Sequence, residues 1–147
     1  MRSMWNDADA AQIRQRIAKL RPDAPALWGK FDAPQMVCHL TDGTKMAMGE
    51  LAVAGRKLPI RYFPLKQLIL YVLPFPKGAP TGPELIARRA TDWSTEIAEL
   101  ERALDRLLSQ RDREAWPDHP AFGPLSRKGW GSLVYRHTDH HLRQFGV

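Results

Sequence analysis

Apolar residues recur along this chain at the three- and four-residue spacing of amphipathic helices, and no segment shows the period of two that is typical of a half-buried strand. The clearest stripe falls within a band about 100° wide on a helical wheel. It consists of Ile86, Ala90, Trp93, Ile97, Leu100, Leu104, Leu107 and Leu108. A shorter stripe of Ala10, Ile13, Ile17 and Leu20 predicts a first helix from Asp7 to Leu20.

Capping and breaking residues set the limits of the other helices. The stretch Asp32-Ala33-Pro34 provides a capping carboxylate and a proline in the first turn, and it predicts a second helix that ends near Gly49. The stretch Thr81-Gly82-Pro83-Glu84 has the form of a capping box and predicts the start of a third helix, the longest. Ser126 is placed to cap a last helix that ends near Phe145.

The chain between the second and third helices is irregular and rich in proline from residue 50 to 82. It includes one apolar segment, Leu65 to Leu73, that is long enough for about two turns of helix. Four amphipathic helices in 147 residues predict an all-α protein, folded as a four-helix bundle in one domain over residues 1–147. The long crossover implies that the second and third helices run parallel.

Composition narrows the choice of function. A single cysteine and a polar N-terminus favour a reducing, cytoplasmic location, and the most apolar run is well short of the ~20 residues needed to span a membrane. The 22 basic and 16 acidic residues give a net charge of +6. Because the basic residues are scattered and interleaved with acids, nucleic-acid binding is not expected.

Three of the five histidines lie close together in the last helix. His137 and His141 are four residues apart and share a face with Gln144, so their rings can converge on one point. His140 points about 100° away from His141, and we interpret it as a flanking residue. A buried histidine pair is expected to be neutral, and either hydrogen-bond partners or a metal ion could satisfy it.

A divalent ion usually has at least three protein ligands, and His39 on the second helix is the candidate for the third. Asp42, three residues further on, is placed to orient the His39 ring, and Gly43 leaves room for a bound group. Cys38 points away from this face and is interpreted as a core residue. His119 lies in a proline-flanked loop and is interpreted as a hydrogen-bonding residue of that loop.

The segments WGKFDAPQMVCHLTDGTKMAMG, HPAFGPLS and W…YRHTDHHLRQFG, with the long crossover between the first two, resemble the DinB/YfiT-like superfamily of metal-binding four-helix bundles. The closest resemblance is to a branch of that superfamily without an assigned activity. It covers most of the chain and implies an up-down-down-up bundle with a metal on His39, His137 and His141. Some members of the superfamily are transferases or isomerases that use low-molecular-weight thiols.

Three neutral imidazoles would leave a divalent ion at least one open position, which is typical of catalytic sites. The leading hypothesis is therefore a metal-dependent transferase or hydrolase that acts on a small molecule, with zinc or nickel as the favoured ion and a thiol as a candidate cosubstrate. The alternative is a non-catalytic metal-binding or interaction module. No catalytic residue is identified, and Asp42, Gln144 and His140 are candidates for the surroundings of the ion.

The crossover segment over residues 56–77 has three open interpretations. It could form a lid that brings Arg61, Tyr62, Phe63 or Tyr71 to the substrate, or it could pack against the end of the bundle. Its apolar and basic side chains would also suit contact with a membrane surface or with a second copy in a homodimer.

Overall fold

The computed structural model describes residues 1–78 and 80–147. Regular structure in these residues is helical with no strand, and one isolated bridge joins His119 to Gly123. The all-α prediction is therefore confirmed. The five α-helices are α1 (Asp7–Ile17), α2 (Ala33–Met48), α3 (Leu65–Tyr71), α4 (Trp93–Ser109) and α5 (Arg127–Gln144), and two 3-10 turns cover Pro59–Arg61 and Pro83–Leu85.

The long helices begin where a short polar side chain accepts a hydrogen bond from a free N–H of the first turn. Asp32 caps α2 by accepting from Gln35 N, and Ser126 caps α5 by accepting from Gly129 N. Both starts agree with the sequence prediction. The first helix ends at Ile17 and not at Leu20.

The predicted start of the long third helix at Thr81 is wrong. The stretch from Thr81 to Glu84 leads only to the 3-10 turn Pro83–Leu85, and α4 begins at Trp93 with Asp92 as its cap. The physical reason lies in the residues between the 3-10 turn and α4. Arg88 and Thr91 donate hydrogen bonds to the carboxylate of Glu96, and these bonds hold the chain before Trp93 outside the helix. Ile86 is consequently 42% exposed.

Helix α2 packs against α4, α5 and the 3-10 turn Pro83–Leu85, while α1 and α3 pack against α5. Helix α3 is additional to the four predicted helices. It is formed by the apolar segment of the crossover, and it buries Leu70. Among the described residues, no helix is both long and apolar enough to cross a bilayer. The contacts of α2 with α5 and with the Pro83–Leu85 turn bring together the polar residues described next.

Candidate metal centre

Three imidazoles from two helices meet between α2 and α5. His39 comes from α2, and His137 and His141 come from successive turns of α5. We call these three residues the histidine cluster. Their ring centroids form a nearly equilateral triangle with sides of 4.9, 4.8 and 4.8 Å, and the rings meet edge to face. Side chains almost 100 positions apart in sequence therefore converge as the helical phases predict.

The separation of the ring nitrogens is close to what a single ion requires. His39 Nε2 lies 3.0 Å from His137 Nε2, and one ligand nitrogen from each ring lies within 4.8 Å of the others. Two nitrogens bound to one ion at about 2.0–2.1 Å lie at most about 4.2 Å apart. The three histidines could hold a metal ion with small movements of their rings.

Hydrogen bonds on the far side of two rings fix which nitrogen faces the cluster. His39 Nδ1 donates to the carbonyl oxygen of Leu85 at 3.1 Å, and His141 Nδ1 donates to Gln144 Oε1 at 2.8 Å. Because these acceptors require a proton on Nδ1, the Nε2 atoms of both neutral rings carry lone pairs. Bonds of this kind orient the histidines of metal sites.

A second hydrogen bond holds Gln144 in place. Its Nε2 donates to the carbonyl oxygen of Trp28 at 2.6 Å, which fixes the orientation of the amide. The neighbouring Gly29 has φ +80°, and a Cβ built there would lie 2.5 Å from Gln144 Nε2. The turn at this position therefore requires glycine, both for its left-handed conformation and for its close approach to Gln144.

Asp42 does not form the predicted hydrogen bond with His39, since the Leu85 carbonyl takes that position. Asp42 instead faces Arg88, with 3.3 Å between its Oδ1 and Arg88 Nε. Its negative charge still acts on His39 and partly offsets the lowering of the His39 pKa. Gly43 likewise gives room to the His137 ring, because a Cβ at Gly43 would lie 3.4 Å from His137 Cε1.

All members of the histidine cluster are neutral near pH 7. Burial lowers the pKa of His39 and brings that of His141 to about 3. The pKa of His137 lies well below its ordinary value because of burial and, secondly, the neighbouring His141 and His39. His39 and His141 are buried and His137 is partly exposed. Neutral imidazoles are the form that binds a metal.

Two phenylalanine rings lie beside the histidine cluster. Phe31 lies 5.1 Å from the His39 ring and 5.8 Å from the His141 ring, and Phe75 lies 6.4 Å from the His137 ring. Phe75 belongs to the crossover, so part of the crossover does reach the candidate site. Of the residues predicted to form a lid, Tyr62 and Phe63 are 62% and 81% exposed.

His140 lies outside the histidine cluster, as its helical phase predicts. Its ring is 5.2 Å from that of His141 and forms part of an adjacent cleft of about 350 Å³. We call this the aromatic cleft. It is lined by Trp28, Pro74, Phe75, Lys77, Arg136, Asp139, His140 and Arg143.

The other reactive side chains take structural roles. Cys38 is buried, and burial together with the Glu96 carboxylate raises its pKa to about 12, so it is a thiol and not a nucleophilic thiolate. His119 Nδ1 accepts hydrogen bonds from Ala121 N and Phe122 N, which confirms its role in the loop.

Two groups of the candidate site could not be found from residue type. The Leu85 carbonyl that holds His39 is a backbone group in a region predicted to be helical, where it would have bonded within the helix. Phe75 lies in a proline-rich stretch without periodicity. Gln144, in contrast, is predicted by the face of the last helix that it shares with His137 and His141.

Comparison with known proteins identifies the family. The family described as "Protein of unknown function (DUF1569)" matches residues 3–146, and the chain therefore belongs to it. No curated protein and no solved structure is significantly similar to the chain.

Proposed function

We propose that this member of the DUF1569 family is a metal-dependent enzyme of the DinB type, with a divalent ion held by His39, His137 and His141. The observation that carries the proposal is the convergence of these three imidazoles between α2 and α5. The proposed reaction is transfer or hydrolysis on a small molecule, and a low-molecular-weight thiol is the candidate cosubstrate.

The donor set supports a metal more strongly than a hydrogen-bonded histidine cluster. Two of the rings already donate outward to Leu85 and Gln144, so their remaining nitrogens offer only lone pairs to the centre. A proton on His137 Nε2 can be donated to only one of these nitrogens, His39 Nε2 at 3.0 Å. A metal ion could instead accept a lone pair from one nitrogen of each of the three rings. All-nitrogen ligation suits zinc or nickel.

In the proposed site, the histidines would bind the ion, and neighbouring residues orient the histidine rings and cover them with apolar surface. Leu85 and Gln144 hold two of the rings, while Phe31 and Phe75 keep an apolar surface against the histidines. When bound, a divalent ion with an open position supplies Lewis acidity, which makes a water or thiol more acidic and polarises a carbonyl group. The thiol would come from a cosubstrate, because the high pKa of Cys38 keeps it protonated.

The arrangement of the long helices supports the proposed relationship to DinB bundles. Helices α1, α2, α4 and α5 would form the four-helix bundle, and the crossover with α3 would be an addition to it. The packing of α2 on both α4 and α5 and of α1 on α5 is consistent with that arrangement.

Metal content of protein purified without a histidine tag tests the proposal. We expect about one divalent ion per chain in the wild type after incubation with zinc and gel filtration. His137→Ala should reduce this to a small fraction, while His140→Ala, which removes the neighbouring imidazole outside the cluster, should retain it. Equal metal content in His137→Ala and the wild type, or none in the wild type, would contradict the proposal.

Chelation separates an enzyme from a non-catalytic module in which the ion only fastens α5 to α2. For the enzyme, the chelated protein should keep its helical circular dichroism, and a small thiol should displace water from cobalt bound at the site and change its visible spectrum. Unfolding of the protein on chelation would favour the structural module. A bound ion would raise unfolding free energy by about 2.7 kcal/mol at 100 times its Kd in either case.

A further inference from the structure

The aromatic cleft adjoins the histidine cluster without being part of it. Phe75 and His140 belong to the wall of the cleft, and they also pack against the histidines, with ring separations of 6.4 Å to His137 and 5.2 Å to His141. A molecule in this cleft would therefore lie next to the candidate metal centre. Its volume of about 350 Å³ is at the lower end of the range of small-molecule sites.

Flat rings form much of the wall. The ring of Trp28 lies 5.6 Å from that of His140, and the ring of Phe75 lies 6.0 Å from that of His140. Pro74 continues this apolar surface. Such a wall favours a ligand with a planar apolar body, because it offers stacking and edge contacts to a ring.

Cations stand over two of these rings. Lys77 Nζ lies 4.3 Å from the centroid of Trp28, and the Arg136 guanidinium carbon lies 5.6 Å from the centroid of Phe75. The carboxylate in the cleft, Asp139, is paired with Arg16 at 2.6 Å and with Arg143 at 3.1 Å. Its charge is therefore compensated, and the cleft presents an excess of positive charge beside its aromatic wall.

We propose that the aromatic cleft binds a small aromatic carboxylate, with the ring of the ligand between Trp28, Phe75 and His140 and its carboxylate facing Lys77 and Arg136. An arginine and a lysine at the edge of an aromatic wall provide charged donors for one anionic group on an otherwise apolar molecule. The inference rests on the proposed function only in naming this molecule as the substrate of the metal centre.

Fluorine NMR titration with 4-fluorobenzoate tests the cleft, with 4-fluorobenzamide as a neutral ligand of the same shape. Both ligands are added to chelated and to zinc-loaded protein. We expect wild type to bind the benzoate at least about tenfold more tightly than the benzamide, since a hydrogen bond to a charged group contributes about that factor or more. Equal affinities for the two ligands would overturn the inference.

Substitutions locate the binding. Lys77→Gln and Arg136→Gln should each weaken benzoate binding by about five- to tenfold and leave benzamide binding almost unchanged, as expected for loss of one charged partner. Lys128→Gln removes one positive charge from an exposed position on the same helix as Arg136 and should change the benzoate Kd less than twofold. Equal Kd values in Lys77→Gln, Arg136→Gln and Lys128→Gln would place the ligand elsewhere and overturn the inference.

The titration also separates failure of the cleft from failure of the metal centre. Benzoate that binds only to zinc-loaded protein and is insensitive to Lys77→Gln and Arg136→Gln would be a ligand of the ion, which overturns the cleft and leaves the metal proposal standing. Benzoate binding that depends on both cations in protein that takes up no zinc would support the cleft and contradict the proposed function.

Discussion

Helix α2 contributes residues to two polar clusters, one around Glu96 of α4 and the other around the histidines of α5. The charged cluster consists of Cys38, Asp42, Arg88, Thr91 and Glu96, and its carboxylates face a guanidinium. The histidine cluster contains three neutral bases and no acid. Neighbouring residues of one helix, Cys38 and His39, belong to the two different clusters.

Almost all hydrogen-bonding groups of the charged cluster find partners within the cluster. Glu96 is 1% exposed, and it accepts from Arg88 Nη1 at 2.9 and 2.7 Å, from Thr91 N at 2.9 Å and from Thr91 Oγ1 at 3.0 Å. Burial favours its neutral form, but these hydrogen bonds outweigh burial and lower its pKa to about 2. In the described part of the chain, only Arg88 Nη2 of this network is buried without an acceptor.

The histidine cluster is organised in the opposite way, because its hydrogen bonds are directed outward and its lone pairs inward. Leu85 and Gln144 accept the outer protons of His39 and His141, and only the one ring proton of His137 remains for the facing nitrogens. The two clusters therefore differ in what they lack: the hydrogen bonds of the charged cluster are almost all made within it, whereas the inward nitrogens of the histidine cluster could hold a metal ion. The following changes test this difference, and the pH series adds His119, a partly buried histidine of the loop before α5 that belongs to neither cluster.

The largest expected effect is on the charged cluster. Glu96→Gln removes the carboxylate that Arg88 and Thr91 bind, and it should lower the unfolding free energy by about 3 kcal/mol, at the low end for loss of one partner of a buried charge pair. Urea denaturation measures this change. Glu99→Gln is the control on the surface of the same helix, and it should change the unfolding free energy by less than 1 kcal/mol. Zinc stoichiometry should be unchanged in both variants.

Acid should act on the histidines before it acts on Glu96. Burial, and secondly the Lys66 ammonium, lower the pKa of His119 to about 4, so the unfolded chain binds more protons than the folded one between pH 6.5 and 4. The contribution of His119 is full above pH 6.5 and is lost as the pH falls toward 4. Glu96 contributes fully above pH 4.5, and its contribution is lost as the pH falls toward 2.

Urea denaturation of chelated protein at a series of pH values tests these two windows. The unfolding free energy of the wild type should decline from pH 6.5 downward. His119→Asn keeps an acceptor for the backbone of the loop but does not titrate in this range. It should reduce the decline by about 2 kcal/mol, a value that allows for the partial exposure of His119. Stability that stays constant from pH 6.5 to 4.5 would contradict the assignment of neutral buried histidines.

Gln144→Met should weaken zinc binding by about tenfold, because loss of a hydrogen bond that orients a metal-bound histidine typically has this effect. The His141 ring would lose the acceptor that fixes its tautomer. Competition with a chromophoric chelator measures the zinc Kd. Gln15→Met, on the exposed side of α1, is the matched control and should leave the Kd unchanged, whereas equal weakening by both would show that orientation of His141 is unimportant.

The smallest effect distinguishes stability from binding at one position. Gly43→Ala should raise the unfolding free energy of chelated protein by up to about 1 kcal/mol through helix propensity. The added Cβ would lie 3.4 Å from His137 Cε1, so the ring must shift by a few tenths of an ångström. We expect a two- to threefold weaker zinc Kd together with this added stability. A tighter Kd would contradict the placement of His137.

Helical periodicity predicted the parts of the fold that depend on local sequence. The caps at Asp32 and Ser126, and the phase that places His137 and His141 on one face of α5, are local properties of the chain. The start of α4 could not be predicted in the same way. The Thr81–Glu84 capping pattern is also local, but Glu96 draws Arg88 and Thr91 into a tertiary network that holds the chain out of the helix.

The same limit applies to the candidate site. The sequence indicated which three imidazoles could meet, because each lies on the inner face of a helix. It could not indicate that Leu85 orients His39 or that Asp42 turns to Arg88, since both contacts depend on the chain between α3 and α4. The aromatic cleft was also missed, because Trp28, Phe75 and His140 come from three separate segments with no shared period.

X-ray absorption at the zinc edge of the loaded, untagged protein tests the central claim most directly. The account predicts three imidazole nitrogens at about 2.0–2.1 Å, no sulfur ligand, and loss of the imidazole multiple-scattering signal in His137→Ala. A sulfur ligand at about 2.3 Å, or a spectrum of zinc surrounded only by water and carboxylate oxygens, would contradict it.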